Sequence, residues 1–405
     1  MVVTKQTIQE AIQVTQVQFI FSEEEIQQIL QSAQMNEGAR LIIEKIINEL
    51  MEYQRDAYIK AEKYEREAEE RTSYRNGYYK RSLNMRVGKI ELHVPRTRDG
   101  EFSTDIFERY QRNEKALTLA ILEMYVNGVA TRKVTKIVEE MGGLHVSKSF
   151  VSSLAKKLDP IIETWRNRPL QDTRYPYLIT DVVYLKVREQ AVVSKACHIA
   201  IGITENGDRE ILGFMLTEGE SYDTWEAFFN SLLSRGLSGL KMVITDAHAG
   251  EIKAIKSCFT GVTWQRCQVH FERNIFDVMP KKNATAFRED IKSLFRMTNI
   301  NQARKRKQQI FEKYEEESRY QKALNKLDEG FEDAFQYCVT AKGHCRLKST
   351  NLLERLNKEI RRREKPIGIF PNDQSAIRLI GALLMDQNDE YMASPRQYIK
   401  METVK

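Results

Sequence analysis

The most constraining feature of the chain lies between Tyr177 and Val269, where the apolar residues change period in a definite order. Tyr177–Arg188, Cys197–Thr204 and Glu210–Thr217 predict three strands, the last two joined through the Glu205-Asn-Gly-Asp208 turn. Tyr222–Arg235 places Trp225, Phe228, Leu232 and Leu233 on one side of a helix. Leu240–Thr245 predicts a short apolar strand, Gly250–Cys258 a helix, and Val262–Val269 another strand.

Three antiparallel strands, a helix, a strand, a helix and a strand are the order of an α/β core of the ribonuclease H-like class. Residues 281–345 break that order. They are highly charged and helical, with Phe287, Ile291, Leu294 and Phe295 on one face, and carry the basic run Arg304-Lys-Arg-Lys307. They are expected to be an all-helical insertion between the two parts of the core, 171–280 and 346–405. Helix returns at Asn351–Arg363 and Ser375–Met385.

Ahead of the core the sequence predicts three further regions. Residues 1–73 read as helix, with a Ser22-to-Glu25 capping box and an apolar stripe of Leu41, Ile42, Ile46, Ile47, Leu50 and Met51 suited to dimerisation or DNA binding. The Glu52–Glu70 run is charged helix. Residues 74–110 predict a hairpin, Tyr78–Val87 and Lys89–Val94, that exposes Lys80, Arg81, Arg86, Lys89, Arg96 and Arg98. Residues 111–170 predict short helices resembling a helix-turn-helix module. In it Val134, Ile137, Val138, Met141, Phe150, Val151, Leu154 and Leu158 face inward, Gly142-Gly143 stop the second helix, and Arg132, Lys133, Lys136, Lys148, Lys156 and Lys157 face outward.

Composition narrows the function classes. The formal net charge is only +6, so an anionic partner must be argued from local clusters. The N-terminus lacks the basic start and apolar core of a secretory leader, and no stretch is apolar enough for a membrane span. Five scattered cysteines form no disulfide framework. A reducing cytosol is the expectation.

Three acids stand out. Asp181 lies within Ile-Thr-Asp-Val-Val-Tyr, where strands disfavour Asp and burial penalises an unpaired carboxylate. Asp246 ends Met-Val-Ile-Thr-Asp, at the edge where α/β sheets bind ligands. Glu354 shares a helix face with Asn351, Asn357 and Arg361, whereas Glu359 points elsewhere. Two carboxylates about 4 Å apart repel by on the order of 4 kcal/mol at an effective dielectric of 20. Two hard divalent cations offset that repulsion, activate an oxygen nucleophile and stabilise the leaving oxygen. The pattern points to phosphoryl transfer on a nucleic acid.

These segments resemble the Mutator-type transposases of bacterial insertion sequences over most of residues 74–385. The resemblance is densest in Thr-Asp181-Val-Val-Tyr-Leu-Lys-Val-Arg188, Arg209-Glu-Ile-Leu-Gly213 and Val-Ile-Thr-Asp246-Ala-His-Ala-Gly250. It continues in Trp264-Gln-Arg-Cys-Gln-Val-His-Phe-Glu-Arg-Asn274 and Ser349-Thr-Asn-Leu-Leu-Glu-Arg-Leu-Asn-Lys-Glu-Ile-Arg-Arg-Arg363. It implies a helical insertion between the second Asp and the Glu, and the interval from Asp246 to Glu354 is the one with room for it. It implies Asp181, Asp246 and Glu354 as catalytic ligands of two Mg²⁺ ions, with Mn²⁺ as a substitute. Its Cys-x-x-His element falls on Cys267 and His270. The implied activity is strand cleavage at transposon ends and transfer of the 3′-OH into target DNA. A homodimer in the bacterial cytoplasm, associated with the nucleoid, is expected. The alternatives are a divalent-metal nuclease, or a catalytically silent DNA-binding relative.

Lys186, Arg188, Arg266, Arg273, Asn351, Arg355, Asn357, Arg361, Arg362, Lys148 and Lys156 are the expected DNA contacts. Around Glu354, Lys342, Arg346, Lys348, Lys358, Arg363 and Lys365 add charge suited to phosphate neutralisation. Cys267 and His270 are half of a zinc set only if His344 and Cys345 complete it, and the spacing is not that of a finger. Trp225 and Trp264 read as core, with stacking on a flipped base as the sharper alternative.

Overall fold

A computed structural model describes residues 21–31, 35–61, 65, 71–85, 87–106, 115–142 and 146–400. The expected helix before residue 21, the end of the charged run at 62–64 and 66–70, Arg86 and Gly143 lie outside the described residues. The chain divides into two compact units, 1–123 with 131–151, and 124–130 with 152–405.

In the first unit, α1 (Glu23–Gln31) starts at the predicted box. Ser22 Oγ accepts from the Glu25 N–H, and Glu25 accepts from the Ser22 N–H. The long α2 (Met35–Ile59) lies on a hairpin of β1 (Arg75–Met85) and β2 (Gly88–Thr97). Alternate hairpin residues Leu83, Ile90, Leu92 and Val94 close over Ile47 and Met51. That packing takes up two of the six residues of the expected apolar stripe. Ile47 and Met51 are core, and only Leu41, Ile42, Ile46 and Leu50 remain partly exposed. Glu44 and Asn48 of α2 accept the Glu91 and His93 N–H groups, satisfying donors of the β2 edge.

Then come α3 (Lys115–Val126), α4 (Thr131–Gly142) and α5 (Lys148–Ala155). Leu117, Ile121, Val134, Val138, Val151 and Leu154 are buried. Met141, expected inward, is 67% exposed because the stripe ends a turn earlier.

The second unit is α/β with a mixed five-stranded sheet in the order β5-β4-β3-β6-β7. The strands are β3 (Tyr177–Arg188), β4 (Val192–Ile203), β5 (Arg209–Thr217), β6 (Met242–Thr245) and β7 (Thr263–Arg266). The first three are antiparallel, while β6 joins β3, and β7 joins β6, in parallel. The turn between β4 and β5 uses Gly207 at φ +87°, where an added Cβ would strike the Ile399 carbonyl oxygen.

The sheet has two apolar faces. Leu178, Ala200, Leu212 and Val243 pack with α7 (Tyr222–Ser234) and α8 (Ala249–Cys258). Ile179, Val183, Leu185, Ile199 and Ile244 pack with α6 (Asp159–Arg166), α14 (Asn351–Glu364) and α15 (Asp373–Ala393).

The strand expected to run to Val269 stops at Arg266, and α9 (Gln268–Val278) follows. The Cys267 N–H still bonds the Thr245 carbonyl, the Gln268 N–H turns away to the Lys348 carbonyl, and Phe271 and Ile275 then repeat at helical spacing. Between α9 and α14 stand α10 (Thr285–Phe295), α11 (Ile300–Tyr314), α12 (Gln321–Ala334) and α13 (Gln336–Thr340). Phe287, Ile291, Leu294 and Phe295 are all buried. Three cations of the basic run pair internally, Arg304 with Glu332, Arg306 with Asp290 and Lys307 with Asp328, and Lys305 is exposed.

Candidate active site

Asp181 sits in β3, on the side facing α14. Its Oδ1 accepts the Val182 N–H at 2.9 Å, and its Oδ2 accepts from Asn357 Nδ2 at 2.8 Å. Burial, with the Asp246 carboxylate adding to it, pushes the Asp181 carboxyl up to about 6, against the Val182 N–H, His270 and Asn357. Asp246 follows β6, and its Oδ1 accepts the His248 N–H at 3.2 Å. Glu354 stands in the first turn of α14, and His270 Nε2 lies 3.6 Å from its Oε1. Glu359 turns away to Arg362 and Arg363.

His270 stands beside Glu354. Its interaction with the Cys267 sulfur, then the carboxylates of Asp181 and Asp246, raise the imidazole to about 9 against burial. Cys267 is fully buried, and its sulfur accepts from both the N–H and the hydroxyl of Thr350 at 3.4 Å. Among the described residues no group gathers Cys267 and His270 with His344 and Cys345, and Cys345 is exposed. The oxygens of Asp181, Asp246 and Glu354 do not all come within 4.8 Å of one another.

The convergence at that distance is instead Glu220, Asp246 and Glu251. Glu251 is 1% exposed, accepts the Thr180 hydroxyl at 2.6 Å, and is held well above the usual carboxylate range by burial. Glu220 accepts from Trp225 Nε1 at 3.2 Å and lies 3.4 Å from His248 Nδ1. Sequence reasoning missed both acids. Glu251 was legible, being an acid on the inward side of a helix with Ala254 and Ile255. Glu220, just before a helix cap, carries no such mark. A second acidic group, Glu189, Glu218 and Asp373, encloses the buried Lys195 ammonium.

The expected DNA contacts fall in several places. Lys186 and Arg188 are exposed on β3, Arg273 on α9, and Asn351, Arg355, Arg361 and Arg362 on α14. Arg361 also donates to the Tyr184 carbonyl at 2.7 Å. Lys148 and Lys156 are exposed, Lys148 in the first unit and Lys156 in the second. Asn357 is spent on Asp181. Arg266 is half-buried, its guanidinium 4.3 Å above the Phe271 ring, where a side chain at Gly330 would collide with it. Arg363, counted with the phosphate-neutralising charge, is only 5% exposed and bonds Glu359 and the Val126 carbonyl. Trp225 is buried among Phe228 and Phe229, and Trp264 Nε1 donates to Thr245 Oγ1.

The family profile "Transposase, Mutator family" matches residues 14–394. The chain is 58% identical to the transposase for insertion sequence element IS256 in transposon Tn4001 of Staphylococcus aureus, over 96% of this chain and 100% of that one. It is 40% identical to the transposase for insertion sequence element ISRM5 of Rhizobium meliloti, over 91% of this chain and 92% of that one. Among solved structures, the Drosophila P element transposase strand transfer complex aligns at TM-score 0.29 and 12% identity, over 75% of this chain and 84% of that one. A profile that spans almost the whole sequence and relatives this similar along their full length leave one conclusion: the chain belongs to the Mutator family of transposases.

Proposed function

We propose that the protein is a DNA transposase with a ribonuclease H-like catalytic core, cleaving strands at the ends of its element and joining the 3′-OH to target DNA. The observation that carries this reading is the 2.8 Å bond from Asn357 of α14 to Asp181 of β3, with Glu354 one turn earlier on that helix and Asp246 at the end of the neighbouring strand β6. An all-oxygen donor set with a carboxyl raised by burial suits hard divalent cations, two Mg²⁺ or in their place Mn²⁺, and Asp181, Asp246 and Glu354 are the residues to hold them. Bound there, the cations supply an activated oxygen nucleophile and a stabilised leaving oxygen. Asn357 fixes the Asp181 carboxylate by its 2.8 Å bond. Exposed Arg355, Arg361 and Arg362 on the same helix are placed to meet phosphates. Residues 74–110 and 111–170 engage DNA, and 281–345 is a helical insertion into 171–280 and 346–405. The active species is a homodimer, working in the bacterial cytoplasm at the nucleoid.

The test is incubation with the ends of the element, target DNA and Mg²⁺, followed by sequencing of the products. Joined 3′ ends are expected. Cleavage without any joining would reduce the protein to a nuclease. Asp181→Asn, Asp246→Asn and Glu354→Gln should each lower cleavage and joining at least about a thousandfold, since each removes a metal-ligand charge from a group acting as a unit. DNA binding should persist, and Glu359→Gln should stay active. A variant that keeps a tenth of the wild-type rate removes its residue from the triad.

A further inference from the structure

Glu354 reaches the site from the far side of the helical insertion, and something must hold it there. The backbone path shows what does. The Cys267 N–H bonds the carbonyl of Thr245, the residue before Asp246, at 2.7 Å. The Gln268 N–H bonds the Lys348 carbonyl at 2.8 Å. The Cys267 sulfur takes both donors of Thr350, and the Thr350 carbonyl accepts the Glu354 N–H at 3.0 Å, opening α14. One turn along α9 from Cys267, His270 lies 3.6 Å from the Glu354 carboxylate. A thiol is suited to the buried place: it accepts two weak bonds while burying little polarity.

We propose that Cys267 and His270 are positioning residues that clamp Glu354 beside Asp246, the thiol anchoring the start of α14 and the imidazole orienting the carboxylate. The assignment rests on the reading of Asp181, Asp246 and Glu354 as the metal-holding set. The clamp acts at both ends of one helical turn. Cys267 sets where the helix begins relative to β6, and His270 sets where its carboxylate points. Groups that orient a metal ligand from behind typically change metal affinity ten- to a hundredfold when removed.

The experiment uses the full chain and Mn²⁺, with binding followed by loss of the free-ion paramagnetic resonance signal and cleavage of end DNA measured in parallel. His270→Ala should weaken Mn²⁺ binding about tenfold and raise the Mn²⁺ needed for half-maximal cleavage by a similar factor, with end-DNA binding unchanged. In a Glu354→Gln background the same substitution should change Mn²⁺ binding less than about twofold, because its effect passes through Glu354. Cys267→Ala should act in the same direction, and Cys267→Ser, which keeps a small acceptor for Thr350, should recover most of the loss. The decision rests on His270→Ala, since that side chain is 25% exposed and its removal leaves the core intact. Wild-type Mn²⁺ binding by His270→Ala, or an equal loss in both backgrounds, overturns the clamp. If Glu354→Gln alone leaves Mn²⁺ binding unchanged, the triad reading falls and the clamp with it.

Discussion

Among buried polar side chains in the sheet, His198 gives the clearest consequence. It lies on β4, fully buried, with its ring edge-on to Trp225 at 4.4 Å between centroids and Nε2 2.9 Å from Thr217 Oγ1. Burial, helped by His248, lowers its pKa to about 4. The neutral ring therefore favours the folded state above its ordinary pKa near 6.5, and that contribution is lost as pH falls toward 4. The loss should reach about 3 kcal/mol at pH 4, from about 1.4 kcal/mol for each pH interval of one between the two pKa values. Trp165, Trp225 and Trp264, the three tryptophans of the chain, all lie in the second unit, so their fluorescence follows its urea unfolding alone. His198→Gln should flatten the pH dependence between pH 6.5 and 4. An unchanged slope assigns it to other groups. At this scale the sequence was legible where a residue breaks its element's preference. Asp181 in a strand is such a break. Glu220 breaks nothing and is recognised only by what surrounds it.

Among the elements, α14 combines the most roles. Its buried side, Leu352, Leu353, Leu356 and Ile360, packs into the core beneath the sheet. Glu354 and Asn357 face the acids, and Arg355, Lys358 and Arg362 are exposed. Charge on the exposed side should govern affinity without reading sequence. Arg355→Ala and Lys358→Ala should each weaken end DNA and random DNA alike. Each should reduce the slope of log affinity against log salt by about 0.9 if it meets one phosphate. A sequence-selective loss, or an unchanged slope, shows that the residue does not contact the backbone. The period of α14 was readable because one side of it packs into the core, and β3 and β5 were readable as short apolar runs covered on both faces. The strand predicted to Val269 was not. There the backbone changes from ladder to helix after Cys267, whose N–H makes a last bond to Thr245 while the Gln268 N–H turns to Lys348, a partner far along the chain.

For the whole molecule, the proposed function sets the requirement. An element has two ends, and a closed two-fold assembly gives each a site with a single kind of interface. Light scattering should find a dimer with end DNA bound, and a monomeric complex that joins both ends would defeat this. The proposed N-terminal stripe has less to offer such an interface than its six side chains promise. Ile47 and Met51 are already covered by the hairpin. At roughly 1.5–3 kcal/mol per buried side chain, their loss removes a third of the apolar contribution before association costs.

Resemblance to the family supplied the Cys267 and His270 motif, while the sequence by itself determined the order and type of most elements, the charged helical interval 281–345 and the Asp181, Asp246 and Glu354 candidates. These are local properties: period, cap chemistry, and acids where a strand or helix face disfavours them. The tertiary structure alone decided which acids meet. Glu251 and Glu220 come to Asp246 through the packing of α7 and α8 on the sheet, and His270 comes to Glu354 across the insertion. It also decided which cations are available, since Arg363 is buried under Gly128 and Arg304, Arg306 and Lys307 are paired within their own bundle. Proximity between residues far apart in the chain is set by side-chain packing and long-range hydrogen bonds, and no periodicity in the sequence encodes it.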